Sequence, residues 1–139
     1  MKTKFDNIVK IRKQEVDKIK RDIQKINSAL KEIENKVLKL KKELFSFSLP
    51  KSGSFSQIIQ SREIQNAIKN EIDNLSSQIN MLNSRKKALL EELKKAEIEY
   101  EKMKYLQAQE IKKMIKRQRL KEAKEIDEIA ILLENFKNG

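Results

Sequence analysis

The sequence predicts an all-α protein, a long antiparallel two-helix coiled-coil hairpin whose second helix overhangs the first. Three observations predict it. Charged residues make up 38 % of the 139 positions and aromatics 5 %, with only two glycines and one proline, a composition of long helices rather than of a compact mixed domain. Two separate stretches carry apolar residues at alternating steps of four and three, the seam of a coiled coil. Between them lie the sole proline and one of the two glycines.

The first seam runs Phe5, Val9, Arg12, Val16, Ile19, Ile23, Ile26, Leu30, Ile33, Val37, Leu40, Leu44 and Phe47. In heptad terms Val9, Val16, Ile23, Leu30, Val37 and Leu44 are a positions, and the others are d positions. Only Arg12 breaks the apolar rule. Sustained heptads with charged residues between them predict a helix over about residues 4–47.

The pattern stops at Ser48-Leu49-Pro50-Lys51-Ser52-Gly53-Ser54. Proline disfavours helix in the residue before it and removes a backbone donor, while glycine permits a reversal. A turn is predicted over about 48–55, with Ser54 or Ser56 as the cap of the next helix.

The second helix is predicted over about 56–136. Its seam runs Ile68, Ile72, Leu75, Ile79, Leu82, Lys86, Leu89, Leu93, Ala96, Tyr100 and Met103. After Met103 the apolar phase fails, because the next positions in frame are Gln107 and Glu110. A new frame follows with Ile126, Ile129, Leu133 and Phe136, and Asn138 and Gly139 lie where the helix is expected to fray.

A turn centred near residue 52 would set position i against about 104 − i, and Phe5 near residue 99. At 1.5 Å per residue the paired part is then roughly 65 Å long, and about 35 residues, roughly 50 Å of helix, project beyond Met1. The same register places the polar seam residue Arg12 near Glu92, and Lys86 near Asp17 or Glu15. Both side chains are read as snorkelling to nearby acids, and as polar seam residues they also suit a role in fixing register. The whole chain, 1–139, reads as one coiled-coil domain.

Composition excludes several function classes. Without cysteine or histidine the chain lacks the common zinc sites, disulfide frameworks, thiol nucleophiles and histidine triads. No apolar run approaches the ~20 residues that cross a bilayer. The start, Met1-Lys2-Thr3-Lys4-Phe5-Asp6, has no uninterrupted apolar stretch behind its basic residues, so it is not read as a secretory signal and the protein is expected to be cytoplasmic. Carboxylates alternate with lysines as on a solvated helix surface, and the densest acidic group, Glu125, Asp127 and Glu128, has no second element converging on it. No glycine-rich phosphate loop is present. No enzyme activity, metal or cofactor is expected.

What remains points to partners. The net charge is +11, of which residues 1–47 carry +7 and residues 101–139 carry +3. A basic surface favours an acidic protein, nucleic acid or anionic lipid. Residues 111–121 hold six cations (Lys112, Lys113, Lys116, Arg117, Arg119 and Lys121) and no acid. A solvated face, an acidic protein partner and phosphate ligands remain open for them, with the lack of interleaved aromatics counting against nucleic acid. Phe5, Ile8, Ile126, Ile129, Ile131, Leu132, Leu133 and Phe136 fall at the open end, where a hairpin has least to bury them. An apolar stripe there predicts a partner surface or, alternatively, a small end-cap or a homodimer contact.

At these two ends the sequence resembles the FliJ family, the coiled-coil component of the bacterial flagellar type III export apparatus. The resemblance rests on Val9-Lys10-Ile11-Arg12-Lys13 and on Lys121-Glu122-Ala123-Lys124-Glu125-Ile126-Asp127-Glu128-Ile129-Ala130, with the size and hairpin architecture of the whole chain. It implies a stalk whose terminal end enters the central pore of the hexameric export ATPase. It also implies contact with the cytoplasmic domain of the export gate protein and escort of export chaperones. The protein would lie at the inner face of the cell membrane when assembled, and serve flagellum biogenesis, type III secretion and, through motility, chemotaxis.

Partner-binding residues carried over from the resemblance and from the open-end reading are Phe5, Ile8, Arg12, Lys116, Arg117, Arg119, Ile126, Asp127, Glu128, Ile129, Leu133 and Phe136. The related injectisome stalk proteins share the architecture. A generic structural coiled-coil scaffold, and a basic rod on nucleic acid or anionic membrane, are the alternative functions.

Overall fold

A computed structural model describes residues 1–47 and 54–138. Two helices pack against each other: α1, Asp6–Ser46, of 41 residues, and α2, Phe55–Asn138, of 84. No strand occurs among the described residues. Of the predicted turn, residues 48–53 lie outside the described residues, whereas Ser54 and Phe55 open α2.

Each helix begins with a reciprocal cap. Ahead of α1, Thr3 donates its hydroxyl to Asp6 Oδ1 at 2.6 Å and its backbone N–H to Oδ2 at 3.0 Å, while Phe5 N–H donates to the Thr3 hydroxyl oxygen at 3.1 Å. At α2, Gln57 N–H donates to the Ser54 hydroxyl at 3.2 Å and Ser54 N–H to Gln57 Oε1 at 3.3 Å. Both satisfy amides that a first helical turn leaves unpaired. Ser54, not Ser56, is therefore the cap.

The chain divides into two compact units, Asp17–Lys94 and Met1–Val16 with Lys95–Gly139. In the Asp17–Lys94 unit, Ile23, Leu30 and Val37 of α1 are buried at strict seven-residue spacing, with Leu75 and Leu89 of α2. These are a positions of one helix and d positions of the other, the layers an antiparallel pair closes over first. The remaining predicted seam residues of this unit, Ile19 to Phe47 and Ile68 to Leu93, are half-buried, because one partner helix shields only one side of each. Lys36, Leu40 and Glu43 line a surface groove with Glu71 and Leu75. Position i thus faces about 113 − i.

In the second unit, Val16 is buried, and Phe5, Val9, Arg12, Ala96, Tyr100 and Met103 are half-buried. Gln107 Nε2 donates to Asp6 Oδ1 at 3.0 Å, and the Lys13 ammonium stands 5.6 Å from the Tyr100 ring centre. These pairs give the same rule, about 113 − i.

The sequence-derived register of 104 − i is corrected accordingly. It placed the reversal at Pro50 to Gly53, whereas matching of the seams decides the pairing. A register of 104 − i would set Leu44 and Phe47 against Gln60 and Gln57. The observed one brings them toward Ile68, where the apolar frame of α2 begins, and so removes more apolar surface from water.

Three further expectations change with it. The frame does not end at Met103: Gln107, Glu110 and Met114 continue it and are half-buried, as is Ile115. The overhang is consequently shorter, because exposure becomes continuous only from residue 116 to 138. Arg12 pairs with Glu15 on its own helix at 3.2 Å rather than with Glu92, and Lys86, half-buried, lies about ten residues from the predicted Asp17 and Glu15.

Candidate partner-docking site

Every residue proposed for partner contact falls in the unit of Met1–Val16 and Lys95–Gly139, but the structure divides the set. Phe5, Ile8 and Arg12 lie in the paired stretch and are half-buried. The expectation that Phe5 and Ile8 stand at an uncovered end is corrected: both are half-buried, and partial cover of α2 extends to Ile115. Lys116, Arg117, Arg119, Ile126, Asp127, Glu128, Ile129, Leu133 and Phe136 all occupy the exposed stretch of α2.

Arg12 illustrates how a charge is tolerated in the seam. Its side chain is 33 % exposed, one end of the guanidinium reaches Glu15, and Nε is left without a hydrogen-bond partner among the described residues. A planar cation with apolar stem packing suits such a half-wet position. Nearby, Tyr100 lies between two ammonium groups, Lys13 at 5.6 Å and Lys104 at 5.1 Å from its ring centre, an arrangement that attracts each cation to the ring face.

Asp6 is the polar clamp of this unit. It accepts from the Thr3 hydroxyl, from Gln107 and from the Thr3 backbone N–H, and these bonds, in that order of strength, hold its carboxyl from the ordinary 3.8 down to about 2. The clamp joins the start of α1 to α2. Sequence reasoning missed it, although Thr3-Lys4-Phe5-Asp6 has the spacing of a capping box.

Beyond Ile115 the helix has two faces. At roughly 100° per residue, Ile126, Ile129, Leu133 and Phe136 stack on one side of α2. That side continues the one on which Ile111, Met114 and Ile115 are half-buried. Ile126 is 65 % exposed and Phe136 87 %. The apolar seam therefore runs on past the residues that cover it, interrupted by Gln118, Glu122 and Glu125. Gln118 Nε2 donates to Glu122 at 3.2 Å within this interruption. Asp127 and Glu128 lie about 120–140° around the helix from the centre of the stripe. Among the described residues no group of three metal-ligating side chains assembles.

An uncovered apolar stripe of this kind is a candidate partner surface. The chain matches the family described as flagellar FliJ protein over residues 1–138. It belongs to the FliJ family. As a FliJ-family chain it is a protein related to flagellar protein export, and the coiled-coil helical pair is its structural core. Comparison with curated proteins and with solved structures finds no match. No helix of the described residues is long and apolar enough to cross a membrane.

Proposed function

We propose that this FliJ-family chain acts as a stalk in the flagellar type III export apparatus. Its uncovered α2 end docks into the central pore of the hexameric export ATPase, and its paired surface meets the cytoplasmic domain of the export gate protein and export chaperones. It works without catalysis or a cofactor, in the cytoplasm and at the inner face of the cell membrane once assembled. Loss of export would carry loss of swimming and hence of chemotaxis.

The observation that supports this reading best is the stripe of Ile126, Ile129, Leu133 and Phe136, exposed on a helix whose same side is covered up to Ile115. Large exposed side chains aligned on one side of a helix gain most by entering a partner's groove. Phe5, Ile8 and Arg12 then act from below by fixing where cover ends, and Asp127 and Glu128 set polarity around the stripe. The test is capture of the export ATPase by the full-length chain and by a chain lacking residues 122–139. Capture is expected to be lost with the truncation, and equal capture by both would contradict terminal docking.

A further inference from the structure

The cations of residues 111–121 are segregated on α2 in a way that composition alone does not reveal. At roughly 100° per residue, Lys112, Lys113, Lys116, Arg117, Arg119 and Lys121 fall within an arc of about 200° whose centre is opposite Ile111 and whose edge at Lys121 borders Met114. All six are exposed, whereas Ile111, Met114 and Ile115 are half-buried. The neighbouring acids Glu122 and Glu125 lie toward the seam side, where Gln118 engages Glu122, and Glu110, near the edge of the arc, is half-buried. Lys124 extends the basic arc by another turn. From Lys112 to Lys124 the arc contains no acid.

Exposed apolar groups also stand within this basic surface, Leu106 at its start among them. Leu120 lies near the middle of the arc and is 63 % exposed. It shares a shallow surface groove with Lys112, Ile115, Lys116 and Arg119. Tyr105, on the same side about four turns earlier, is also exposed. The six cations are thus combined with exposed leucine side chains and one amphipathic aromatic, Tyr105.

We propose that this face, Tyr105 to Lys124, is a contact surface for anionic phospholipid. Four to eight cations on one side of a helix attract an anionic bilayer surface, each adding favourable energy when close to it. An arc of about 200° is wider than the contact one partner helix makes but fits a plane that the helix lies upon. Tyrosine suits the headgroup level and leucine the boundary below it, while lysine and arginine stems reach up to the phosphates. A single-stranded nucleic acid would call for aromatics spaced among the cations, and Leu120 has no role against the phosphates of a duplex. The vesicle measurement below needs no ATPase, so its outcome is separate from that of the docking test.

The experiment is co-sedimentation of the full-length chain with phosphatidylglycerol–phosphatidylcholine vesicles and with phosphatidylcholine vesicles. Helix content of every variant is checked by circular dichroism. Binding is expected only to the anionic vesicles, falling as salt is raised. Lys112→Glu/Lys116→Glu/Arg119→Glu is expected to weaken it at least tenfold, and Lys112→Arg/Lys116→Arg/Arg119→Lys to leave it within about twofold. The control Lys18→Glu/Lys25→Glu/Lys39→Glu makes the same change of charge on exposed positions of α1, where acids are interspersed, and is expected to weaken binding less than threefold. Leu120→Ser/Tyr105→Ser is expected to remove the part of binding that survives high salt.

Equal loss in the α1 control would show attraction by net charge alone and overturn the proposal. So would tighter binding of duplex DNA or polyglutamate than of the anionic vesicles, which would assign the face to nucleic acid or to an acidic protein.

Discussion

α2 contains two regions that look alike in composition and behave differently. From Ile68 through Met114, seam positions recur at alternating steps of four and three, apolar except at Lys86, Gln107 and Glu110, and each is at least half-buried. From 116 to 138 isoleucine, leucine and phenylalanine are no less frequent, yet every residue is exposed. What differs is phase and cover. The first region keeps its frame in register with α1 and loses apolar surface to it; the second changes frame where α1 has ended. Hydrophobicity that stabilises the fold in one region is thereby left available for a partner in the other.

The largest expected contrast is between Leu89→Ala and Ile129→Ala. Leu89 is 2 % exposed in the seam, and its truncation is expected to cost about 2–5 kcal/mol in urea unfolding. Ile129 is 56 % exposed, and the same measurement should register less than about 0.5 kcal/mol, the scale of surface substitutions. A comparable loss at both positions would mean that the second region is covered after all.

Capping separates the regions less sharply. Ser54→Ala removes the hydroxyl that accepts from Gln57 and is expected to cost roughly 1 kcal/mol. Amide exchange should accelerate in the first turns of α2 and remain unchanged beyond Ile115.

Smaller still is the pH effect of the Asp6 clamp. Its folded-state value lies below its unfolded one, so its contribution is fully present above about pH 4 and is lost as pH falls toward 2. Asp6→Asn is expected to flatten the stability profile between those limits and to leave the profile near neutrality parallel to that of the native chain. An unchanged acid limb would remove the clamp from the account.

The fold was legible because a two-helix seam is written into sequence by periodicity. Val16, Ile23, Leu30 and Val37 announce themselves as buried by spacing alone, and the single Pro50 marks where the seam stops. Register was less legible: it depends on which apolar layers meet, and the turn sequence draws the eye instead. The nine-residue difference between 104 − i and 113 − i misplaced the partners of Arg12 and Lys86 and lengthened the overhang.

The candidate site was legible only by residue type. Ile126 to Phe136 could be found as an apolar frame, but their exposure follows from where α1 ends, and so does the half-burial of Phe5 and Ile8. That position is a property of pairing and not of any local motif.

Pairing is therefore the place to test the account, and a chain without cysteine makes the test direct. Glu15 and Glu99 flank the seam and face one another in the observed register, while Glu92 is the equivalent flank one heptad nearer the turn. Glu15→Cys combined with Glu99→Cys should be joined within one chain by a short bis-maleimide reagent, and Glu15→Cys combined with Glu92→Cys should not. Preferential joining of the second pair would slide α1 along α2, move the end of cover, and contradict the claim that the seam is closed through Ile115 and open beyond it.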